Sequence, residues 1–423
     1  MKRALSLVLL PVAATLAAAA APPGFTALFN GRDLTGWRGG TTYDHRKLMS
    51  LPESERAAQI AAWTKSMTEK DPKTGLSHWR VEGRELVNDG TGDYATTEKE
   101  FRDFELLLDY KIVAGAGSGI YLRGVPQVQI WDYNSPDQKG LGYEKGSGGL
   151  WNNDKGAAGK DPLVRADSPI GEWNHFRLVM VGSRVSVWLN KQLVVDHAVM
   201  ENYYDKEDKT LTREQRRPVP AQGPIQLQTH GGATTWRNIY LREIDSAEAC
   251  RILESHGRAG FQPIATGGLL GAWSGELRSV SASGGSLTCT RTPGALYWKQ
   301  PLREFQDRMQ FKVPTGTKAS VAIGRPGAGK GITLVRELPV PDPGVSRGAP
   351  SPYHADGEWN FQEVTVTGST LELELNGTPV LDVELASGQA GGAMTSAAGA
   401  NYLFGLISRG DPVQFRNLAI RRP

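Results

Sequence analysis

The two halves of this 423-residue chain carry the same landmarks in the same order, and that most restricts how it can fold. Gly24-Phe25 precedes Trp37 by thirteen positions (37 − 24), and Gly260-Phe261 precedes Trp273 by the same thirteen (273 − 260). Trp173-Asn174, Gly182, Leu189-Asn190 and Asp196 recur as Trp359-Asn360, Gly368, Leu375-Asn376 and Asp382, each 186 positions later. Near the end, Trp236-Arg237-Asn238-Ile239 answers to Phe415-Arg416-Asn417-Leu418. An ordered repeat of this kind makes the second half a diverged copy of the first. Length agrees, because a single core stops growing at roughly 250–300 residues.

What each copy should be follows from its strands. From Trp79 the pattern is one of short alternating runs: Trp79–Val87, Phe104–Val113, Gly119–Leu122, Val128–Trp131, Asn174–Val181, Arg184–Leu189, Leu193–His197, Ile225–His230 and Trp236–Glu243. Short strands between Gly-rich turns predict a sandwich or jelly roll, in which one face of each sheet is buried against the other. The 50 Gly and 25 Pro residues fit a turn-rich chain. Phe25, Leu28 and Trp37 read as apolar anchors around a turn at Asn30-Gly31. One helix interrupts the strands, running through Ala57, Ile60, Trp63 and Met67 behind a capping box of Ser50 and Glu53; its expected place is over an end or edge of a sheet. The domains read as 24–245 and 260–423, joined by a linker at 246–259 with a short helix around Ala247 to Leu253.

Before them, Met1-Lys2-Arg3 and the apolar run Ala4 to Ala21 describe a secretory signal peptide over residues 1–21, cut near Ala19 to Ala21. With no cysteine after that run to carry a lipid, the expectation is a periplasmic or secreted protein without a membrane span. Loss of Lys2 and Arg3 takes the formal charge from +3 to +1, which leaves no field to attract nucleic acid. Cys250 and Cys289 can pair as a disulfide in an oxidising compartment or stay as two buried thiols.

The run Gly223-Pro224-Ile225-Gln226-Leu227-Gln228-Thr229-His230-Gly231 is unusual for a strand. Ile225 and Leu227 point to one face, while Gln226, Gln228 and His230 line the other. It is either a solvated outer face or a strip that meets a sugar. The repeat separates scaffold from site: Leu227 falls on Leu406, but Gln228 falls on Ile407 and His230 on Arg409. Other polar strand faces carry Glu105, Asp109 and Lys111; Tyr121 and Arg123; and Gln127, Gln129 and Trp131. The loop Asp132-Tyr133-Asn134 through Trp151-Asn152-Asn153 mixes Gly, Asn and aromatic residues, as sugar-binding loops do. Met200 to Tyr204, including Tyr203, leads into a charged run ending at Arg216-Arg217-Pro218 that reads as a solvated loop.

Through Leu28-Phe29-Asn30-Gly31-Arg32-Asp33-Leu34-Thr35-Gly36-Trp37, Ser118 to Gly124, Val128-Gln129-Ile130-Trp131-Asp132, Gly171 to Asn174 and Gly223 to Gly231, the first domain resembles the DUF1080 family, also called the 3-keto-disaccharide hydrolase domain. The second domain resembles a degenerate member without the Gln-Thr-His strand. The chain departs from the family pattern at Gln127, where Glu is frequent. The resemblance implies an all-β protein of two tandem concanavalin-like jelly rolls and cleavage of 3-keto-glycosides. A ketone at C3 acidifies the C2 proton, so the glycosidic bond can break by elimination and water can add afterwards. Under that chemistry His230 is the expected base or acid. Arg123 and Gln228 bind the enolate and hydroxyls, and Asp109 or Asp132 is the orienting or protonating partner. Gln129, Gln226, Tyr133, Trp151, Asn152, Asn153 and Tyr203 complete the expected sugar contacts. No cofactor is evident; a divalent metal held by His230 with Asp132 stays open, and His175 and His197 read as strand histidines without a role. Two other readings stand beside this one. The first is a non-catalytic carbohydrate-binding sandwich. The second is a two-carboxylate hydrolase using Glu105 and Asp109, which lie roughly 13 Å apart along a strand, too far for one pair.

Overall fold

The computed structural model describes residues 21–135, 140–212, 215–264, 270–283, 285–289, 294–314, 319–326, 332–340, 352–354, 357–385, 401–408 and 412–422. The stretch read as a signal peptide and the position Arg409 lie outside the described residues, apart from Ala21. The first domain contains β1 (Thr26–Ala27), β2 (Trp37–Gly40), β3 (Trp79–Glu82), β4 (Glu85–Asn88), β5 (Tyr94–Thr97), β6 (Phe104–Ile112), β7 (Gly117–Leu122), β8 (Val125–Trp131), β9 (Asn174–Val181), β10 (Arg184–Leu189), β11 (Gln192–Val199), β12 (Gln226–Leu227) and β13 (Thr234–Glu243). The helices are α1 (His45–Ser50), α2 (Glu53–Thr68), α3 (Tyr203–Glu207) and α4 (Ser246–Ser255).

A large antiparallel sheet runs β11-β10-β9-β6-β13-β4-β3, with β1 beside β13, and packs on a small sheet ordered β2-β5-β12-β7-β8. The core between them is the apolar parity read from the sequence. Phe104, Leu106, Leu108 and Tyr110 of β6 meet Ile120, Val128, Ile130, Ile225 and Leu227 from the small sheet. Each strand therefore has one face committed to the core, and its alternate residues face outward.

The helix expected near residue 57 is α2, and it lies against β2 at the sheet edge. A side chain at Gly39 would overlap the Trp63 backbone, so this glycine permits the close approach. The expected capping box does not form, because Ser50 closes α1 and Pro52 stands at the start of α2. The run Trp79–Val87 is a hairpin, with Gly83 and Arg84 at positive φ in its turn.

The second domain repeats this topology. Its large sheet is ordered Val280–Ser283, Ser286–Cys289, Val413–Arg421, Phe305–Lys312, Asn360–Thr367, Thr370–Leu375 and Thr378–Glu384, with Gln262–Pro263 beside Val413–Arg421. Its small sheet is Trp273–Gly275, Gly294–Trp298, Leu403–Ser408, Ala319–Pro326 and Ile332–Val340. Even the landmark residues do the same work. The Asn190 amide donates to Asn174 Oδ1 (2.8 Å), and its oxygen accepts from the His175 amide; Asn376 makes the same bonds to Asn360 Oδ1 (2.7 Å) and the Phe361 amide. Both asparagines sit at positive φ, where Asn is tolerated better than bulkier residues.

Between the domains, Asp245 caps α4 by accepting the Glu248 amide at 2.7 Å. Ala249, Cys250 and Leu253 then bury against Val179, Val181 and Phe361. Cys250 lies in this junction and Cys289 in the second-domain core, so the structure takes the two-thiol alternative. Burial pushes their thiols up to about 12 and about 11. His197 stacks on His256 with centroids 3.9 Å apart, and burial with that neighbour holds it down at about 3.

Candidate functional site

The outward face of the small sheet in the first domain is polar and largely covered. Register places Arg38, Thr96, Gln226 and Tyr121 in one row across β2, β5, β12 and β7. The next row holds Gly40 beside Tyr94, and Gly119 beside Gln129. Gln228 joins it by donating its backbone N–H to the Gly119 carbonyl at 2.9 Å. Gln127, Gln129, Gln226 and Gln228 are all at least nine-tenths buried.

Hydrogen bonds to two carbonyl groups fix the Gln129 carboxamide, and through it that of Gln127. Gln129 Nε2 donates to the carbonyls of Ser118 (3.1 Å) and Ile130 (3.0 Å), so its oxygen must accept. It accepts from Gln127 Nε2 at 2.5 Å, which leaves Gln127 Oε1 buried without a donor. Gln226 Nε2 donates to Thr96 Oγ1 at 3.0 Å and Gln228 Nε2 to the Tyr121 hydroxyl at 3.4 Å; the Oε1 atoms of both are likewise unpaired. A buried unmatched acceptor costs about 1–3 kcal/mol. Three such oxygens share this face, each without a donor among the described residues.

Glycine and aromatic residues shape this face. A side chain on Gly119 would overlap the Gln127 carboxamide, so the glycine floor lets Gln127 lie across the sheet. At one end the segment around Leu150 pairs with Val128 and lengthens the sheet beyond β8, with the Trp151 amide donating to the Gln127 carbonyl at 3.0 Å. Trp151 meets Trp131 edge to face at 5.5 Å, and Lys160 Nζ stands 4.3 Å from the Trp151 ring centre. Near the middle, Thr42 Oγ1 bonds the hydroxyls of Tyr121 (2.7 Å) and Tyr94 (3.2 Å), whose rings meet at 5.5 Å. Burial raises the Tyr121 hydroxyl well above the usual phenol range, so it stays a neutral donor.

Of the expected residues, Gln226, Gln228, Gln129 and Trp151 come together here. Tyr203 is half-buried, meets Tyr204 edge to face at 5.5 Å and is raised mainly by burial. His230 lies exposed beyond the end of β12, two residues after Gln228. The structure separates the others from this face. Arg123 sits at positive φ in the turn after β7, its head group wholly inside: Nε donates to the Arg102 carbonyl, Nη1 to those of Gly182 and Pro220, and Nη2 to Asp103 (2.8 Å). Burial brings it down to about 10 against the pull of Asp103. Its shared parity with Tyr121 fails because the strand ends at Leu122.

Asp109 is on the other sheet, where its carboxylate takes His175 Nδ1 (2.6 Å), Arg237 Nε (3.1 Å) and Asn238 Nδ2 (2.7 Å). Glu105, the other carboxylate of the two-acid reading, is held there by Arg177 and Arg242. The second domain repeats the Asp109 arrangement without charge: Arg416 Nε donates to Gln310 Oε1 at 2.9 Å at the matching register. Asp132 spends its two oxygens on the amides of Gly115 (2.7 Å) and Asn134 (2.9 Å). Asn153 ties Ala158 and Val199 to its loop, and Tyr133 lies under the Arg165 guanidinium at 4.9 Å. Asn152 donates to the Glu201 carbonyl and keeps a buried, unpaired Oδ1. The charged run is not simply solvated, because Arg217 and Arg46 grip the buried Asp205. Among the described residues no group of three or more His, Cys, Asp or Glu is placed to share a metal ion.

Sequence reasoning passed over Arg38, Thr42, Tyr94 and Lys160, which reach this face through register or loop closure. Only Tyr94 and Arg38 had a readable signal, the alternation of β5 and β2 against Ala95 and Trp37.

In the second domain the equivalent face is apolar. Register aligns Gln226 with Gly405, Gln228 with Ile407 and Tyr121 with Ala322, and Tyr297, Ala322, Leu403 and Ile407 form a small buried cluster.

Fold and face together define a tandem jelly-roll β-sandwich protein with a buried, carboxamide-rich face on its first domain. Residues 24–242 and 260–421 both match the 3-keto-alpha-glucoside-1,2-lyase-like domain, and the chain belongs to that family. It is similar to a 3-keto-disaccharide hydrolase of Bacteroides thetaiotaomicron, 23% identical over 258 residues, which span 52% of this chain and 79% of that protein. Among solved structures it is similar to two proteins of Parabacteroides distasonis described as candidate glycosyl hydrolases. One is 22% identical with a TM-score of 0.35, covering 52% of this chain and 94% of the other. The second is 24% identical with a TM-score of 0.32, covering 43% and 97%.

Proposed function

We propose that the first domain cleaves 3-keto-glycosides on the outer face of its small sheet. The observation that carries this reading is the set of three buried carboxamide oxygens, on Gln127, Gln226 and Gln228, that find no donor among the described residues. Sugar hydroxyls are the donors that fit them. Family membership and the similarity to a 3-keto-disaccharide hydrolase support the keto-sugar chemistry.

The reaction runs by elimination and hydration. The C2–H bond breaks, its proton passes to His230, and its electrons form a C2–C3 enolate. The enolate returns to a ketone as a C1–C2 double bond forms, the C1–O bond breaks and the leaving oxygen takes a proton. Water then adds hydroxyl at C1 and a proton at C2, so the net change is hydrolysis. Trp151 and Trp131 hold the ring by stacking. The test is aglycone release from a 3-keto-glucoside and from the parent glucoside, by wild type and His230→Ala. Cleavage of the keto substrate alone, lost in the variant, is the expected result. Cleavage of the parent sugar would point to ordinary hydrolysis, and binding without cleavage would leave a carbohydrate-binding module.

A further inference from the structure

The chemistry above needs a cationic or hydrogen-bonding group at the C3 oxygen, and Arg123 is locked away from it. We propose that Arg38 is a further catalytic residue, whose guanidinium binds the C3 oxygen of the keto sugar and stabilises the enolate; this rests on the elimination reading.

Three observations carry it. First, register places Arg38 in the same outward row as Thr96, Gln226 and Tyr121, on the face that holds the unpaired carboxamides. Second, Arg38 and Gln226 line a recess of about 10 Å³ with Thr41, Tyr43, His45 and Trp63. That is room for one water-sized group, such as a single oxygen. Arg38 brings a cationic donor to that recess. Third, the guanidinium is not consumed by the fold: among the described residues its one hydrogen bond runs from Nη1 to the Gly39 carbonyl at 2.9 Å. Gly40 keeps the recess open, since a side chain there would press on Thr96 Oγ1 and Gln226 Nε2.

The neighbouring charges leave Arg38 available. Glu100 is engaged by His45 Nε2 at 2.7 Å and by Gln222 Nε2 at 3.4 Å. Burial lowers the Arg38 pKa, against the opposing pull of Glu100 and Glu98, but arginine starts so high that it stays charged. Two strand spacings, about 10 Å, separate β2 from β12, and His230 follows four residues after Gln226, beyond the end of that strand. Two extended side chains with one sugar ring between them span that gap. The ring is then held with C3 toward β2 and C2 toward the end of β12, and the aglycone toward Trp131 and Trp151.

The experiment compares wild type, Arg38→Met and Arg38→Lys on a p-nitrophenyl 3-keto-glucoside. Affinity for the parent p-nitrophenyl glucoside and thermal melting are measured alongside. The expected result is a fall in kcat of about 100-fold for Arg38→Met, with tenfold or more of that recovered in Arg38→Lys and the parent-sugar affinity unchanged. A kcat for Arg38→Met within about threefold of wild type overturns the assignment and leaves the proposed function standing. An equal loss in both variants, with parent-sugar affinity lost in step, also overturns it, as that pattern marks a structural role. A wild type that leaves the keto substrate intact overturns both. Arg38→Lys keeps charge and bulk and provides the test if Arg38→Met does not fold.

Discussion

Asp307 occupies a place in the second-domain core that its counterpart fills with leucine. Register aligns it with Leu106: Asp307 faces Val364 and Ile420 where Leu106 faces Leu178 and Leu241. It is 1% exposed, neither carboxylate oxygen has a partner among the described residues, and burial followed by the charge of Glu363 raises its pKa well above the ordinary range. The folded state therefore holds this proton at a pH where the unfolded chain, with a pKa of about 3.9, releases it. The folded form binds more protons, so this group's contribution is fully present below about pH 3.9 and is lost as pH rises from there toward its raised folded value. Each unit of the rise costs about 1.4 kcal/mol at neutral pH. The unmatched neutral carboxyl costs a further 1–3 kcal/mol or so. Asp307→Leu removes both terms, and the larger side chain gives back about 1–3 kcal/mol through crowding. A net gain of about 2 kcal/mol at pH 7 corresponds to roughly 4–8 °C for a domain of this size. Melting curves of the full chain from pH 4 to pH 8, for wild type, Asp307→Leu and Asp307→Asn, read this out. The variants should be more stable than wild type at pH 7 and converge with it toward pH 4. Parallel pH profiles for wild type and Asp307→Asn would show that Asp307 does not hold a proton in the fold, and the argument would be wrong.

Three further outcomes follow from the geometry. Gly119→Ala drives the Gln127 carboxamide off the sheet, so activity on a keto-glycoside should fall about tenfold or more while melting shifts by only a few degrees, because the new methyl points away from the core. Asp109→Asn should leave kcat unchanged within about twofold and destabilise the fold by about 1–3 kcal/mol, since the carboxylate organises His175, Arg237 and Asn238 on the opposite sheet; a large loss of kcat would return Asp109 to the reaction. Reducing agent should leave the melting temperature unchanged, because Cys250 and Cys289 are separate buried thiols; a drop of several degrees would reveal a disulfide.

Periodicity exposed most of the scaffold and only part of the site. Asn174–Val181 and Arg184–Leu189 have the expected bounds, because a strand buried on one face writes its alternation plainly. The strand expected at Ile225–His230 is hydrogen-bonded as a ladder only at Gln226–Leu227, and so His230 escapes the parity that would have placed its ring. Arg123 shows a different failure. Alternation holds within a strand and ends at a turn, so a residue one place past Leu122 points where the left-handed backbone sends it. Asp109 obeyed its parity, but parity tells only which face of its own sheet a residue takes. Two polar faces on opposite sides of a sandwich look the same in sequence. Arg38 stayed hidden for the complementary reason: β2 is four residues long, and its polar face shows only when β5 is laid beside it.

The second copy decides which polar groups belong to the scaffold. Where a polar contact persists in both domains it does structural work, as with Asn174–Asn190 and Asn360–Asn376, or with Arg237 over Trp173 (3.8 Å) and Arg416 over Trp359 (3.7 Å). Asp109 falls in this group, since Gln310 keeps its arginine contact after losing the charge. The carboxamides fall in the other. Replacing Gln228 by Ile407 and Tyr121 by Ala322 leaves the small-sheet ladder in place and removes a buried unmatched oxygen. A copy under no demand to bind would drift that way, because the apolar face is the more stable one. The first domain keeps its buried acceptors, as the proposed sugar-binding role requires. The second domain keeps instead what joins it to the first: the turn at Asn376-Gly377 beneath Gly182 and Ser183, the Arg184–Glu374 ion pair, and the Phe361 contact with α4. Its Asp307 shows how far the rest of its core has been free to wander.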